Sequence, residues 1–199
     1  MTLLHSLDLL STFVFALVGA RVAADRGLDY GGITFIATVA SISGGTLRNV
    51  FLGVLPIWIT DAWVIGSVLA AVAITLTFRR VTHVGKTLLI LDTFALATAT
   101  LSGTQLAYEI NIPWHACIIL GVTTAVTGGL LRDVLCQVEP VLLHRETIGT
   151  SAFMGASTFV ALHALNAPSA VAVIAGGVVV IATRVISIVF DLHLPKFTK

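Results

Sequence analysis

Charge is what this chain has least of. Asp, Glu, Lys and Arg make up 11% of its 199 residues, against roughly a quarter in soluble domains. With 57% hydrophobic residues and a mean hydropathy of +1.02, a soluble globular domain is excluded. The net charge of +1 leaves no electrostatic footprint for nucleic acid. Cysteine is nearly absent. Cys117 and Cys136 lie in apolar stretches without CxxC or Cys/His spacing; they read as small buried hydrophobes, neither a disulfide nor a metal site. Lysine is missing from every apolar run, since Lys86, Lys196 and Lys199 fall in loops or the tail. That excludes a retinal Schiff base. No metal-ligand spacing and no nucleophile–base arrangement suggests an enzyme, and no cofactor is implied. The six histidines sit at helix ends or loops with nothing to pair them as ligands.

Long apolar runs are abundant. A membrane-crossing helix needs about 20 apolar residues, and seven runs qualify: about 7–24, 32–55, 61–78, 88–107, 114–138, 147–165 and 169–190. Asp25-Arg26-Gly27, Leu55-Pro56, Arg79-Arg80, Asn111-Ile112-Pro113 and Asn166-Ala167-Pro168 punctuate them. The first run begins near Met1 without a preceding basic stretch, so it is expected to belong to the fold and not to a removed signal peptide.

The basic residues test the count. Arg21, Arg26, Arg79, Arg80, Lys86, Arg145, Lys196 and Lys199 fall on one side of a seven-crossing arrangement, and the other side receives none. The positive-inside rule then predicts a multi-pass plasma-membrane protein with its N-terminus outside and its C-terminus in the cytoplasm. Trp58/Trp63 and Tyr108/Trp114 are expected at the outer interface.

Residues 7–60 recur at 91–144 without a gap, eighty-four positions later. The strongest match sets Ser43-Gly44-Gly45-Thr46-Leu47-Arg48 against Thr127-Gly128-Gly129-Leu130-Leu131-Arg132; Pro56 matches Pro140. Three crossings per copy put the second copy into the membrane from the opposite side. The expected fold is all-α: one transmembrane domain over 1–199, with inverted three-helix repeats at about 7–80 and 88–165 and an unmatched seventh helix at about 169–190.

Arg48, Arg132 and Arg184 remain inside the apolar runs. An arginine at mid-helix costs about 2.5–3.5 kcal/mol on translocon scales, so such residues are rarely idle. Arg184, late in the seventh run, is expected to snorkel to the interface. Arg48 and Arg132 each follow a glycine pair by three residues. Two readings of the pairs compete. Gly44-Gly45 and Gly128-Gly129 only admit a close helix neighbour, or the second and fifth crossings kink or unwind there. In the second reading, which is favoured, freed carbonyls and the hydroxyls of Ser41, Ser43, Thr46, Thr123, Thr124 and Thr127 line a wet path.

The carboxylates repeat as well: Asp8 opens the first run and Asp92 the fourth. Ion pairs Asp8–Arg48 toward the outer face and Asp92–Arg132 toward the inner face are expected, with Asp133 a further candidate partner of Arg132. They are either structural or close the two ends of the path. Gly176-Gly177 reads as a packing face.

At its two glycine–arginine segments the chain resembles the trimeric intracellular cation (TRIC) channel family, in its prokaryotic branch. It also resembles the related bacterial tandem three-helix proteins often described as glycine transporters. The resemblance covers nearly the whole chain. It implies a homotrimer in the lipid membrane, each subunit with its own pore for potassium and other monovalent cations, sodium included, and lipid as a bound partner. It carries the kink to Gly44-Gly45 and Gly128-Gly129, and the basic pore residues to Arg48 and Arg132. Family members often show three glycines at the kink, where this chain has Ser43 and Thr127. A channel is the first expectation and a secondary transporter of a small zwitterion such as glycine the second.

Overall fold

The computed structural model describes residues 3–78, 84–138 and 147–190. Arg79, Arg80, Pro140, Arg145, Lys196 and Lys199 lie outside them, as does the side chain of Lys86, so the basic-residue count is not tested by the structure.

Among the described residues there are eight helices and no strand. They are α1 (Leu3–Asp25), α2 (Tyr30–Phe51), α3 (Ile57–Thr60), α4 (Ala62–Thr77), α5 (Val84–Glu109), α6 (Trp114–Leu135), α7 (Thr147–Ala164) and α8 (Ser169–Val189). Four are long and apolar enough to cross a membrane: α1, Thr87–Glu109 of α5, α6 and α8. The count of seven crossings is not reached on that criterion. α4 has 16 residues, and α2 carries Arg48, Asn49 and a run of hydroxyls and glycines.

The helix ends follow local chemistry. Asp29 accepts from the Gly32 N–H at the start of α2, and Asp61 from the Trp63 N–H at the start of α4, each satisfying a donor the helix leaves orphaned. Pro113 and Pro168 precede α6 and α8, where a missing N–H costs nothing. The C-terminal turns match across the sequence repeat. Gly53 and Gln137 both adopt positive φ, 68° and 51°. The preceding Leu52 and Cys136 N–H groups donate to the Arg48 and Arg132 carbonyls, and Val54 and Val138 donate to the Asn49 and Asp133 carbonyls. These bonds close a left-handed cap, and the same cap recurs eighty-four residues on.

α1 and α5 run antiparallel through the middle, since Asp8 near the start of α1 meets Ser102 near the end of α5. α2 packs on α1, α6 on α5, and α2 crosses α6; α4 leans on α1, and α7 and α8 pack on each other and on α5. Small residues allow the close approaches. A side chain at Gly19 would press on Ala37 and Ala40, and one at Gly103 on Gly121 and Thr124. Between the two halves lies a core of Val14, Phe15, Val18, Leu96, Ala99 and Ala125. Phe35, Leu69, Ile90, Ile174 and Val178 are exposed on the outside, as a lipid-facing surface requires.

Candidate functional site: two arginine clusters and two cavities

Arg48 sits in the last turn of α2 and is 1% exposed. Its Nη1 donates to Asp8 Oδ1 at 2.9 Å and its Nη2 to Asp8 Oδ2 at 3.3 Å, a two-pronged contact. Nη1 also donates to Ser102 Oγ, and Nε donates to Asn49 Oδ1 at 2.8 Å. Ser102 in turn donates to Asp8 Oδ1. Asn49 is anchored by its own donation to the Leu55 carbonyl at 2.8 Å. One positive charge meets one negative charge, and three helices contribute to the cluster.

Arg132, in the last turn of α6, repeats the geometry with a different charge. Nη1 donates to Asp92 Oδ1 and Nε to Asp133 Oδ1, both at 2.8 Å. Asp133 occupies the position that Asn49 holds in the first half, so here one cation faces two carboxylates. The pairs expected from sequence are therefore formed, and Asp133 is a partner of Arg132 despite being its chain neighbour. A buried guanidinium is tolerable only with such partners, because desolvation outweighs the Coulomb gain when either member is left alone.

Each cluster borders a cavity. The first has about 40 Å³ of room for water and is lined by Asp8, Thr12, Ser41, Gly45, Thr46 and Arg48, with Trp58 at its edge. The second has about 20 Å³ and is lined by Asp92, Leu96, Ala125, Gly129, Leu130 and Arg132. These six positions correspond one to one at the spacing of eighty-four. Three hydroxyls of the first cavity, on Thr12, Ser41 and Thr46, are replaced in the second by Leu96, Ala125 and Leu130.

The glycine pairs behave differently from the unwound segments favoured by sequence. α2 and α6 stay helical through Ser43-Gly44-Gly45 and Thr127-Gly128-Gly129, so no run of freed carbonyls lines the path. Thr46 and Thr127 donate back to the Ile42 and Thr123 carbonyls of their own helices. The two glycines of each pair divide the work. A Cβ on Gly44 would strike the Thr124 carbonyl of α6, and one on Gly128 the Ala40 carbonyl of α2. These first glycines let the two helices cross in contact. Gly45 and Gly129 face the cavities; a Cβ on Gly45 would meet nothing within 4 Å.

Trp58, from the one-turn α3, donates to Thr46 Oγ1 at 3.0 Å and lines the first cavity. One anchor expectation is corrected. Arg184 does not snorkel. It is fully buried, and its Nη1 donates to Thr147 Oγ1 of α7 at 3.0 Å, because α7 and α5 cover its face of α8. Gly176 packs against Leu101 and the Gly155 carbonyl, within the subunit. Among the described residues no group of three or more His, Cys, Asp or Glu side chains could hold a metal.

Ser102 and Asn49 were not singled out from sequence. Asn49 had a signal, since it follows Arg48 and aligns with Asp133. Ser102 had none, because its repeat counterpart is Val18.

The fold and the site together define a polytopic helical membrane protein with a charge-compensated polar interior built twice. Comparison with known proteins gives the family. The sequence profile of a family described as Glycine transporter matches residues 5–80 and again 89–164. A UPF0126 membrane protein of Vibrio cholerae is 31% identical over 199 residues, covering 98% of this chain and 83% of the relative. The UPF0126 inner membrane protein YadS of Escherichia coli K12 is 30% identical, covering 98% and 96%. Among solved structures, the TRIC trimeric intracellular cation channel orthologue from Rhodobacter sphaeroides superimposes with a TM-score of 0.90 at 33% identity, covering 96% of this chain and all of that one. A second TRIC cation channel gives 0.86 at 30% identity, over 100% and 98%. The chain belongs to the family described as Glycine transporter and is a prokaryotic member of the TRIC family. Its relatives are membrane proteins and channels, not enzymes.

Proposed function

We propose that this protein is a monovalent cation channel, permeable to potassium, with a path inside each subunit between α2 and α6. The observation that carries the reading is the pair of cavities, the first hydroxyl-lined at the α2–α6 crossing and the second lined from α1, α5, α6 and α7, each bounded by a buried arginine neutralised by carboxylate. An uncompensated arginine in a narrow path would repel cations; compensation by Asp8 at one end and by Asp92 and Asp133 at the other removes that barrier. The hydroxyls of Thr12, Ser41 and Thr46 offer oxygens to a partly dehydrated ion, so selectivity among monovalent cations is modest. Gating comes from breaking and remaking the clusters. Ser43 and Thr127 stand beside the close contacts of Gly44 and Gly128, and the kink attributed to the glycine pairs belongs to the open state. The likeness to the Rhodobacter channel supports cation conduction and assembly as a homotrimer; placement in the plasma membrane, contact with lipid and operation without a cofactor belong to the same proposal. The matched C-terminal caps and the antiparallel α1 and α5 support an inverted repeat; the one-sided distribution of basic residues along the sequence supports seven crossings with the N-terminus outside.

A second reading has one specific observation behind it. The first cavity presents a carboxylate, a guanidinium and hydroxyls together, which suits a zwitterion such as glycine in a secondary transporter. Liposome flux separates the two. Charge movement that follows a potassium gradient without any added solute supports the channel. Saturable glycine uptake without single-channel current overturns it.

A further inference from the structure

The two cavities have one lining residue in common, Phe15. It lies in the middle of α1, seven residues after Asp8, and is 5% exposed. A Cβ on Gly128 would stand 3.7 Å from Phe15 Cδ1, so the ring rests against the seam where α2 crosses α6. The repeat does not reproduce this residue: eighty-four positions on stands Ala99, which lines the first cavity. One half contributes a phenyl ring where the other contributes a methyl group. The interior therefore holds a single aromatic partition. The polar lining changes across it, from Thr12 and Ser41 on one side to Leu96 and Ala125 on the other.

We propose that Phe15 is the hydrophobic barrier separating two water-accessible halves of the path, and that an ion passes only when its ring leaves the α2–α6 seam. The inference rests on the channel reading for its functional meaning, but the barrier itself is a statement about access. A ring offers a cation no oxygen, and a narrow apolar constriction excludes water by dewetting. The arginine clusters at the two ends and the ring in the middle then act in series, and freeing the clusters alone does not open the path.

Two measurements on the full-length protein in liposomes test this. Potassium flux through Phe15→Ala is expected to exceed wild type by about tenfold, the effect of removing ~1.4 kcal/mol of barrier. Phe153→Ala, on the outer side of α7 away from both cavities and 55% exposed, serves as the control and leaves flux unchanged. Measurable potassium flux that is equal in wild type and Phe15→Ala overturns the barrier.

The second measurement is independent of conduction. In a chain carrying Cys117→Ala and Cys136→Ala, Ser41→Cys and Leu130→Cys report on the first and second cavity. With Phe15 present, a membrane-impermeant methanethiosulfonate reagent is expected to reach each from one face only, and from opposite faces. With Phe15→Ala, both are reached from both faces. One-sided labelling that survives Phe15→Ala overturns the barrier. A wild type that passes no cation under any condition, while labelling still switches with Phe15→Ala, overturns the channel reading and supports the barrier.

Discussion

The two arginine clusters share a geometry and differ in charge. In the first, Arg48 has one carboxylate, Asp8, with neutral Asn49 on Nε. In the second, Arg132 has two, Asp92 and Asp133. The first is closed over by Ser102 from α5; at the matching place on α1 the second has Val18. The same backbone, repeated, therefore carries one neutral cluster beside a hydroxyl-lined cavity and one net-negative cluster beside an aliphatic one. A duplicated scaffold keeps the positions of buried ionic groups because their partners must arrive together. Neighbouring side chains are free to diverge.

The largest effect expected from this difference is on stability. Asp8→Ala removes the sole carboxylate of Arg48 and leaves a buried cation uncompensated, at a cost of about 3–5 kcal/mol. Asp92→Ala leaves Arg132 with Asp133 and should cost clearly less. Thermal unfolding of the two purified variants in detergent measures it; equal losses would mean that Asp133 does not act as the second counterion.

Next in size is the glycine pair. Gly44→Ala and Gly128→Ala force α2 and α6 apart and should each cost about 1–3 kcal/mol by overpacking. Gly45→Ala should be neutral or slightly stabilising, since alanine favours a helix by up to about 1 kcal/mol over glycine. Unfolding midpoints across the set decide this. A Gly45→Ala loss as large as that of Gly44→Ala would show that the division between packing and cavity glycines is wrong.

Exchange of the neutral and charged partners comes third. Asp133→Asn makes the second cluster resemble the first and keeps the hydrogen bond to Arg132, whose net contribution is about 1.5–3 kcal/mol when a charge takes part. Removing the excess carboxylate should lower cation entry from that end and weaken rectification in single-channel recordings. Asn49→Asp should shift rectification the opposite way. Insensitivity to both would confine these residues to structural support.

The smallest effect is at the edge. Trp58→Phe deletes the bond to Thr46, an interaction of about 0.5–1.5 kcal/mol, and should leave folding almost untouched while easing entry to the first cavity. A melting curve and conductance measured side by side test it.

Much of this was legible before folding. The scarcity of charge specified a membrane protein, and the recurrence at eighty-four residues paired Asp8 with Arg48 and Asp92 with Arg132, because an arginine in an apolar run demands a counterion. The differences between the halves at Asn49/Asp133 and at Phe15/Ala99 are present in the aligned repeats but gain meaning only from the contacts those residues make in space. The role of the glycines was not legible, since a diglycine is equally compatible with a broken helix and with a tight crossing; only the partner's backbone, the carbonyls of Thr124 and Ala40, decides between them. Ser102 was invisible because its significance is its distance from Asp8 in space, 94 residues away along the chain.

Composition and periodicity alone thus determined the solvent of this protein, its helical class, its duplication and the charges that must neutralise each other, because each follows from a local or pairwise energetic requirement. Which glycine packs and which faces a cavity, which serine closes a cluster and which ring parts the two cavities were decided by tertiary structure. Those roles depend on what stands opposite a residue, and that is set only when the two halves cross.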